Sequence, residues 1–527
     1  METITWNKVK QDQYQYFVKP LYQQELVERD LKSFERELVE NFYSGKYVPA
    51  SPIRLSVPKK GFLVRPAIVL SLEDNYIYNI FFDEIIMPAY SKLKEYQDKT
   101  DFAYKIYYSK KYGLQFQNSF KSWKEYVDKS ESKALLSPVI VETDLTGFYE
   151  LIDHSLLRAD LRSLGINTST IRKLQNCLDK WSPISGRGLP QSYMTSHLLA
   201  RIYMNVIDQQ LQNAGYDHVR YNDDFRIFCN SENEAQRVVK FLAEKLKIKG
   251  LILNSSKTKI LNSADALKNI IGPSATIESM KKELKTIEIS EEKYLDVSDS
   301  FGNVKKVKVK IKKIKGATEQ EQTEHDNKVV VNVFTSNFES KDGRKFDKTL
   351  FRFLLSQLAL LENNHAVQFC LNNIQRLPEE IDSILKYLTK VGAFNQSIDV
   401  ILNLIGSNDC IFEYQKIKVL EWIGSNLDKF DDKVKMLNVV RKIYKDGSNE
   451  FTVPLAEYII GEVGNDADLS DIQTNYKQTL TQNRKSEIMM HLQNMEKVNR
   501  DSFYKEVGED CILTKLANQK IKEKGLI

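Results

Sequence analysis

The sequence is poor in cysteine, and the few cysteines it has are scattered. Cys177, Cys229, Cys370, Cys410 and Cys511 form no C-x-x-C pair, which argues against both a zinc site and a disulfide framework. That usage fits a reducing cytoplasm. Long apolar runs are missing as well: nothing approaches the roughly 18 residues of a membrane span, so no membrane partner is expected. The opening Met-Glu-Thr-Ile-Thr-Trp-Asn-Lys lacks the apolar core of a signal peptide. An excess of one charge sign is lacking too; a formal net charge of +5 permits a nucleic-acid partner without demonstrating one. What is present is ordinary globular composition, 42% hydrophobic and 28% charged, in 527 residues, enough for two or three domains.

One stretch carries chemistry. His-Val-Arg-Tyr-Asn-Asp-Asp-Phe-Arg-Ile-Phe, residues 218–228, sets Asp223 and Asp224 between two short runs rich in β-formers. Asn-Asp and Asp-Asp steps are turn chemistry, so the stretch predicts a tight hairpin with the acids at its tip. Two like charges there cost Coulomb energy unless a cation sits between them. Hard dications take carboxylate oxygens, and pairs of them catalyse in-line phosphoryl transfer. In isolation an acidic solvated turn would read the same way, so the rest of the chain has to decide.

Taken in order, residues 20–43 predict one amphipathic helix opening at Pro20. Pro49, Pro52 and Pro58 force extension, and a basic hairpin-like loop follows at 57–66 with Lys59, Lys60 and Arg65 as donors for a polyanion. An apolar helical run covers 72–87, then a connection rich in Tyr and Lys. Val139–Val141 read as a buried strand ending at Asp144, with helical spacing from Tyr149 to Leu164, where Gly165 closes it. A Gly/Pro loop at 185–192 feeds a helix over 193–212, and after the acidic hairpin come a helix over 232–247 and a strand within 250–259. This order suits an antiparallel sheet backed by helices, an α+β arrangement.

Four segments at this spacing resemble the palm and fingers of reverse transcriptases. They are Asp144-Leu-Thr-Gly-Phe-Tyr149, Gly188-Leu-Pro-Gln191, Tyr221-Asn-Asp-Asp224 and Leu253-Asn-x-x-Lys257-Thr258, and the basic loop stands where that family's fingers meet the triphosphate. The resemblance implies that Asp144 and Asp223 hold two Mg²⁺ ions, with Mn²⁺ as the alternative, and that Asp224 supports them. It implies that Tyr149 is an aromatic gate against the ribose 2′-hydroxyl and that Gln191 touches the incoming nucleotide. Arg65 offers phosphate a bidentate fork, Lys59 and Lys60 add point charges, and Lys257 is a candidate acid for the leaving pyrophosphate. Asp153, His154, Phe148 and Phe225 read as structural. One departure stands out: intron and retron enzymes usually carry Gly after Pro-Gln and then Ser-Pro, whereas here Ser192 and Thr195-Ser196 fill those places.

The second half changes character. Residues 305–315 alternate Val/Ile with Lys and predict a strand with a basic face, read as a Lys-guarded edge; 316–328 read as a polar loop. From about 341 onward apolar residues recur at helical spacing, and Gly-Ser-Asn at 406–408, 424–426 and 447–449 reads as helix-ending glycine followed by the next cap. The expectation is an all-α, HEAT-like repeat domain. The chain then divides into a helical segment at 1–48, fingers and palm at 49–273, a connector at 274–340 and the repeat domain at 341–527.

An altered palm followed by a long helical region resembles the bacterial abortive-infection (Abi) reverse transcriptases, which are phage-defence proteins. That resemblance implies dNTPs as substrates, template-independent synthesis primed on the protein itself, single-stranded DNA covalently attached to it, and a homo-oligomer. The competing readings are a conventional RNA-templated reverse transcriptase of a retron or other mobile element, and a catalytically idle palm kept as a nucleic-acid scaffold.

Overall fold

A computed structural model describes residues 4–14, 17–18, 21–110, 113–271, 277, 292–298, 304–310, 319–339, 346–408, 410–447, 449–479 and 481–525. In chain order its elements begin with α1 (Ile4–Tyr14), α2 (Gln23–Arg29), α3 (Leu31–Tyr43), the hairpin β1 (Ile53–Lys59) and β2 (Leu63–Val69), and α4 (Leu72–Leu93). There follow β3 (Ile106–Ser109), β4 (Gly113–Phe116), α5 (Ser119–Ala134), β5 (Val139–Thr143), α6 (Phe148–Leu151), α7 (His154–Ser163), α8 (Thr168–Trp181) and α9 (Met194–Asn213). Then come β6 (Asp217–Tyr221), β7 (Asp224–Cys229), α10 (Glu232–Ile248), β8 (Lys259–Asn262), α11 (Ser263–Ile271), β9 (Glu292–Ser298) and β10 (Val304–Lys310). The chain divides into two compact units, Met1–Tyr16 with Tyr47–Pro52 and Ile68–Glu278, and Phe17–Lys46 with Ile53–Ala67 and Ser279–Ile527.

In the first unit, β-branched Ile140 and Val141 are wholly buried, as a central strand requires. They form β5 in a four-stranded antiparallel sheet ordered β6-β7-β5-β8, with α10 packed on β5 and β7. The antiparallel sheet backed by helices is therefore observed. Three helices in this unit were not expected: α5, capped by Asn118, α8, capped by Asn167, whose Ile171, Leu174, Leu178 and Trp181 are buried, and α11. The last strand lies later than expected, at Lys259–Asn262, because Asn254 turns the chain first: its carbonyl accepts from the amides of Lys257 and Thr258.

The second unit corrects three expectations. Residues 20–43 form two helices, since Asp30 leaves the helical region at φ −137 and its side chain accepts from the Ser33 amide to start α3. Part of the expected polar loop is helix, α12 (Glu319–Phe334), because Val330 and Phe334 of this segment are fully buried. Strand β10 pairs with β9 from Val304↔Ser298 to Lys310↔Glu292; residues 311–315 lie outside the described residues. The third correction concerns glycine. Gly406 and Gly424 are the last residues of α16 (Phe394–Gly406) and α17 (Glu413–Gly424), and none of Gly406, Gly424 and Gly447 has a positive φ. At Gly424 and Gly447 room rather than chirality asks for glycine: a Cβ on Gly424 would come within 2.9 Å of the Tyr458 ring, and one on Gly447 within 2.3 Å of Val453.

Around those glycines the helices form two rows. The first is α13 (Lys348–Leu360), α15 (Ile381–Lys390), α17, α19 (Thr452–Val463), α21 (Gln482–His491) and α23 (Ile512–Glu523), each packed on the next. Between them α14 (Val367–Asn373) packs on α16 and α16 on α18 (Lys433–Lys445), while α20 (Asp466–Tyr476) packs on α19 and α21. Among the described residues no helix is long and apolar enough to cross a membrane.

Gly461 lies where α19 meets the end of α21, and a Cβ there would sit 2.3 Å from the His491 carbonyl oxygen. Backbone cannot yield as a flexible side chain can, so Gly461→Ala should cost about 1–3 kcal/mol. Gly406→Ala, whose Cβ would meet Val439 at 3.4 Å, should be near neutral. Denaturant unfolding followed by hydrogen exchange over residues 452–491 measures both; equal effects would refute the packing account.

Candidate active site

Sheet register sets the geometry. Glu142 lies opposite Arg226 and Thr143 opposite Phe225 in the antiparallel pair β5/β7. One step further along each strand brings Asp144 and Asp224 opposite each other at one end of the sheet. Tyr221 pairs with Asp224, which leaves Asn222 and Asp223 as the two-residue turn of the expected hairpin. Asn222 takes the left-handed backbone at φ 59, which Asn tolerates better than most residues. Its side-chain amide donates to Asp223 Oδ1 at 3.1 Å. Beneath the turn, Tyr221 is buried edge-on against Trp123, with ring centroids 4.9 Å apart.

The acids feel one another. Burial first, then the charges of Asp223 and Asp144, push the Asp224 carboxyl up to about 7, against the pull of Lys257 and Arg226. Asp144 is buried; its Oδ2 accepts from the Lys257 ammonium, and its Oδ1 has no hydrogen-bond partner among the described residues. The motif around Lys257 explains that pairing. Asn254 donates its backbone N–H to the Asp144 carbonyl at 2.9 Å, and Thr258 and Thr143 share a 2.7 Å hydroxyl contact. Burial would lower Lys257, but its bond to Asp144 and the charges of the three acids hold it above its ordinary range. Lys257 is therefore a standing counter-charge to Asp144 and a reluctant proton donor.

Carboxylate oxygens are the donors that hard divalent ions prefer, and a buried, unpartnered Asp144 Oδ1 fits such an ion. Among the described residues, no three His, Cys, Asp or Glu side chains are arranged so that they could hold a metal ion together.

A buried ionic network supports the turn from behind. Arg220, one residue before Tyr221, pairs bidentately with Asp208 of α9 at 2.9 and 2.5 Å, and its Nη1 donates to the Asn222 carbonyl at 2.9 Å. Arg201 pairs with Asp101 at 2.7 Å, Arg220 reaches Asp101 at 3.3 Å, and His218 lies 3.2 Å from Asp208. All five side chains are essentially inaccessible to water. Although burial alone would raise it, Arg220 and His218 hold Asp208 down at about 2.

Tyr149 reaches the acidic turn, where its hydroxyl lies 3.3 Å from Asn222 Oδ1, while Gln191 sits on the neighbouring loop. The Gly188-Leu-Pro-Gln191 loop docks on residues 149–152 through Gly188 N–H to the Ile152 carbonyl, 2.8 Å, and Leu189 N–H to the Tyr149 carbonyl, 2.9 Å. Gly188 needs its φ of 94 and its small size, since a Cβ would lie 3.2 Å from the Glu150 carbonyl oxygen. Gln191 donates to Glu150 at 2.9 Å, and the Tyr149 hydroxyl lies 2.6 Å from His197 Nδ1. Asp153 caps α7 and buried His154 contacts the Gly188 carbonyl, so both are structural, as are buried Phe148 and Phe225. Lys59, Lys60 and Arg65 lie on the β1–β2 hairpin, which belongs to the second unit; there Lys60 donates to the Phe346 carbonyl at 3.2 Å.

With this geometry in view, residues 90–323 match the family described as "Reverse transcriptase (RNA-dependent DNA polymerase)". The chain carries a reverse transcriptase domain. The matched domain is thereby of the nucleotidyltransferase class of reverse transcriptases and DNA polymerases, a class that uses divalent metal ions. Asp144, Tyr149, Gln191, Asp223, Asp224 and Lys257 all fall inside the matched domain, and the basic hairpin falls before it. Among solved structures, telomerase from Candida albicans with a telomeric RNA fragment is 13% identical, with 75% of this chain and 66% of that one covered at a TM-score of 0.31. Telomerase from Candida tropicalis, in its apo form, is 11% identical over 77% and 72% of the two chains at a TM-score of 0.31. Likeness this distant says nothing of what the reverse transcriptase domain here binds. No curated protein matches the chain.

Sequence reasoning overlooked Asp101, Arg201, Asp208 and Arg220, and with them His197. Only Arg220 carried a signal, as a charged residue at an otherwise apolar position of a strand bound for the core.

Asp224 yields a test with a defined sign. Its folded-state value of about 7 lies above the ordinary 3.8. Its contribution to stability is therefore fully present below about pH 4 and is lost as pH rises through 7. Without divalent cations, Asp224→Asn should melt several degrees above wild type at pH 8, and the gap should shrink steadily toward pH 5. A gap independent of pH would mean that Asp224 ionises normally.

Proposed function

We propose that the protein is a Mg²⁺-dependent DNA polymerase of the reverse transcriptase type that acts in antiphage abortive infection. In this reading it works in the cytoplasm as a homo-oligomer, joins dNTPs without a template, and starts from a hydroxyl of its own chain, to which the single-stranded product stays attached. The observation that carries the polymerase part is the register that sets Asp144 opposite Asp224 with Asp223 in the turn between. Asp144 and Asp223 would hold two Mg²⁺ ions, with Mn²⁺ as the alternative and Asp224 in support; bound there, the ions neutralise the triphosphate and acidify the attacking hydroxyl. Lys257, paired with Asp144 Oδ2, would share that carboxylate with a bound ion. Tyr149 then crowds the 2′ position of the sugar and Gln191 meets the incoming nucleotide.

The defence part rests on the resemblance to the Abi class. Ser192 and Thr195-Ser196 replace the usual Gly and Ser-Pro, and the two-row helical stack suits a HEAT-like region in place of a small thumb. A conventional RNA-templated enzyme of a retron or other mobile element is the second reading, and one observation favours it. Ser192 keeps φ at 72, the backbone a glycine would adopt, while Thr195 and Ser196 are buried and bonded to Tyr78 and the Pro190 carbonyl. The loop thus keeps a glycine-type conformation in spite of its altered residues.

Labelled dNTPs and Mg²⁺, given to the purified protein with and without added RNA, separate the two. The Abi reading predicts equal incorporation without template and label that stays with the polypeptide through denaturation; synthesis that needs RNA supports the second. In either case Asp223→Asn should lower incorporation at least about a hundredfold. Undiminished synthesis by that variant would overturn the polymerase site itself.

A further inference from the structure

We propose that His197 is a positioning residue that sets how strictly the site rejects ribonucleotides, by anchoring the ring of Tyr149 at its hydroxyl. The inference rests on the reading of Tyr149 as the gate against the ribose 2′-hydroxyl and adds what makes that gate stiff.

A steric gate discriminates only as well as it stays in place. The backbone fixes only the near end of Tyr149: α6 has four residues, preceded by Gly147 at φ 58 and followed by Ile152 outside the helical region, and Leu189 N–H holds the Tyr149 carbonyl at 2.9 Å. The ring is fixed instead at its far end, where a contact has the longest lever on both side-chain torsions. Its hydroxyl lies 2.6 Å from His197 Nδ1 and 3.3 Å from Asn222 Oδ1, and it also bonds the Tyr104 side chain. His197 is itself immobilised. It projects from α9, is buried, and stacks face to face on Tyr104 with centroids 3.8 Å apart and planes 11° apart. Tyr149 meets His197 edge-on, at 5.7 Å and 77°. Burial drives His197 down to about 3, so the imidazole is neutral, and in the tautomer with its proton on Nε2 it accepts the phenol proton at Nδ1. Tyr104 is held in turn, since its carbonyl accepts from Arg201 Nη1 at 2.7 Å, which ties the anchor to the buried ionic network.

The test compares kcat/KM for a dNTP and the rNTP of the same base, using the full chain. Tyr149→Ala examines the gate itself and should collapse the discrimination. His197→Phe keeps a ring to stack on Tyr104 but removes the acceptor; the dNTP/rNTP ratio should fall about three- to tenfold, as loss of one hydrogen bond implies. Tyr149→Phe, which also gives up the contacts with Asn222 and Tyr104, should fall at least as far, and the double variant no further than Tyr149→Phe, because the His197 bond is already gone. His197→Asn, which offers an oxygen near the place of Nδ1, should restore most of the ratio. If both nucleotides slow equally in His197→Phe, the ratio is unchanged, His197 is merely structural and the proposal is wrong. If Tyr149→Ala leaves the ratio intact, the gate reading falls and takes this inference with it.

Discussion

Asp144 and Asp224 end neighbouring antiparallel strands, and Asp223 sits in the turn that one of them begins. Three carboxylates so close repel one another, and their cost is visible in Asp224, pushed up to about 7 by burial and then by its neighbours. A surface turn would relieve that repulsion by moving. Here it cannot, because Tyr221 is buried against Trp123 and the Asn222 carbonyl is bonded by Arg220. Much of the first unit can be understood as the support that keeps the acids together.

That support consists of charge as well as packing. Asp101, Arg201, Asp208, Arg220 and His218 are buried with their partners in place, an arrangement that need not stabilise the fold over an apolar core. What it supplies is direction. Removing either arginine or either aspartate leaves a buried charge of the other sign in excess, so the strand carrying Arg220 cannot slip without breaking the set. The same network reaches Tyr104 through Arg201, and through Tyr104 the ring of His197. A fixed turn and a fixed aromatic wall thus share one foundation. On the other side of the sheet, Lys257 neutralises Asp144 from a turn built on Asn254.

The strands and acids were legible because their signals are local. β-branched Val139–Val141 announces a buried strand, and Tyr-Asn-Asp-Asp announces a turn that Asn222 can take at positive φ. The stack of helices from Lys348 onward follows from apolar spacing. Other features were not legible, for physical reasons. The α8 helix has a cap and apolar periodicity as good as its neighbours, yet it lay between two motifs that drew the reading past it. Gly424 looks like a helix terminator in sequence, but its purpose is a neighbour, Tyr458, that only the packed structure supplies. The ionic network joins Asp101 to Arg201 and Asp208 to Arg220, and no local pattern says which buried charges will find one another.

The central claim is that these separated acids form one cation-binding, phosphoryl-transferring cluster. Crystals soaked in Mn²⁺ and measured at its absorption edge test it most directly. The account predicts anomalous density bounded by the carboxylates of Asp144 and Asp223, lost in Asp144→Asn. Density elsewhere, or none at a saturating Mn²⁺ concentration, would contradict it.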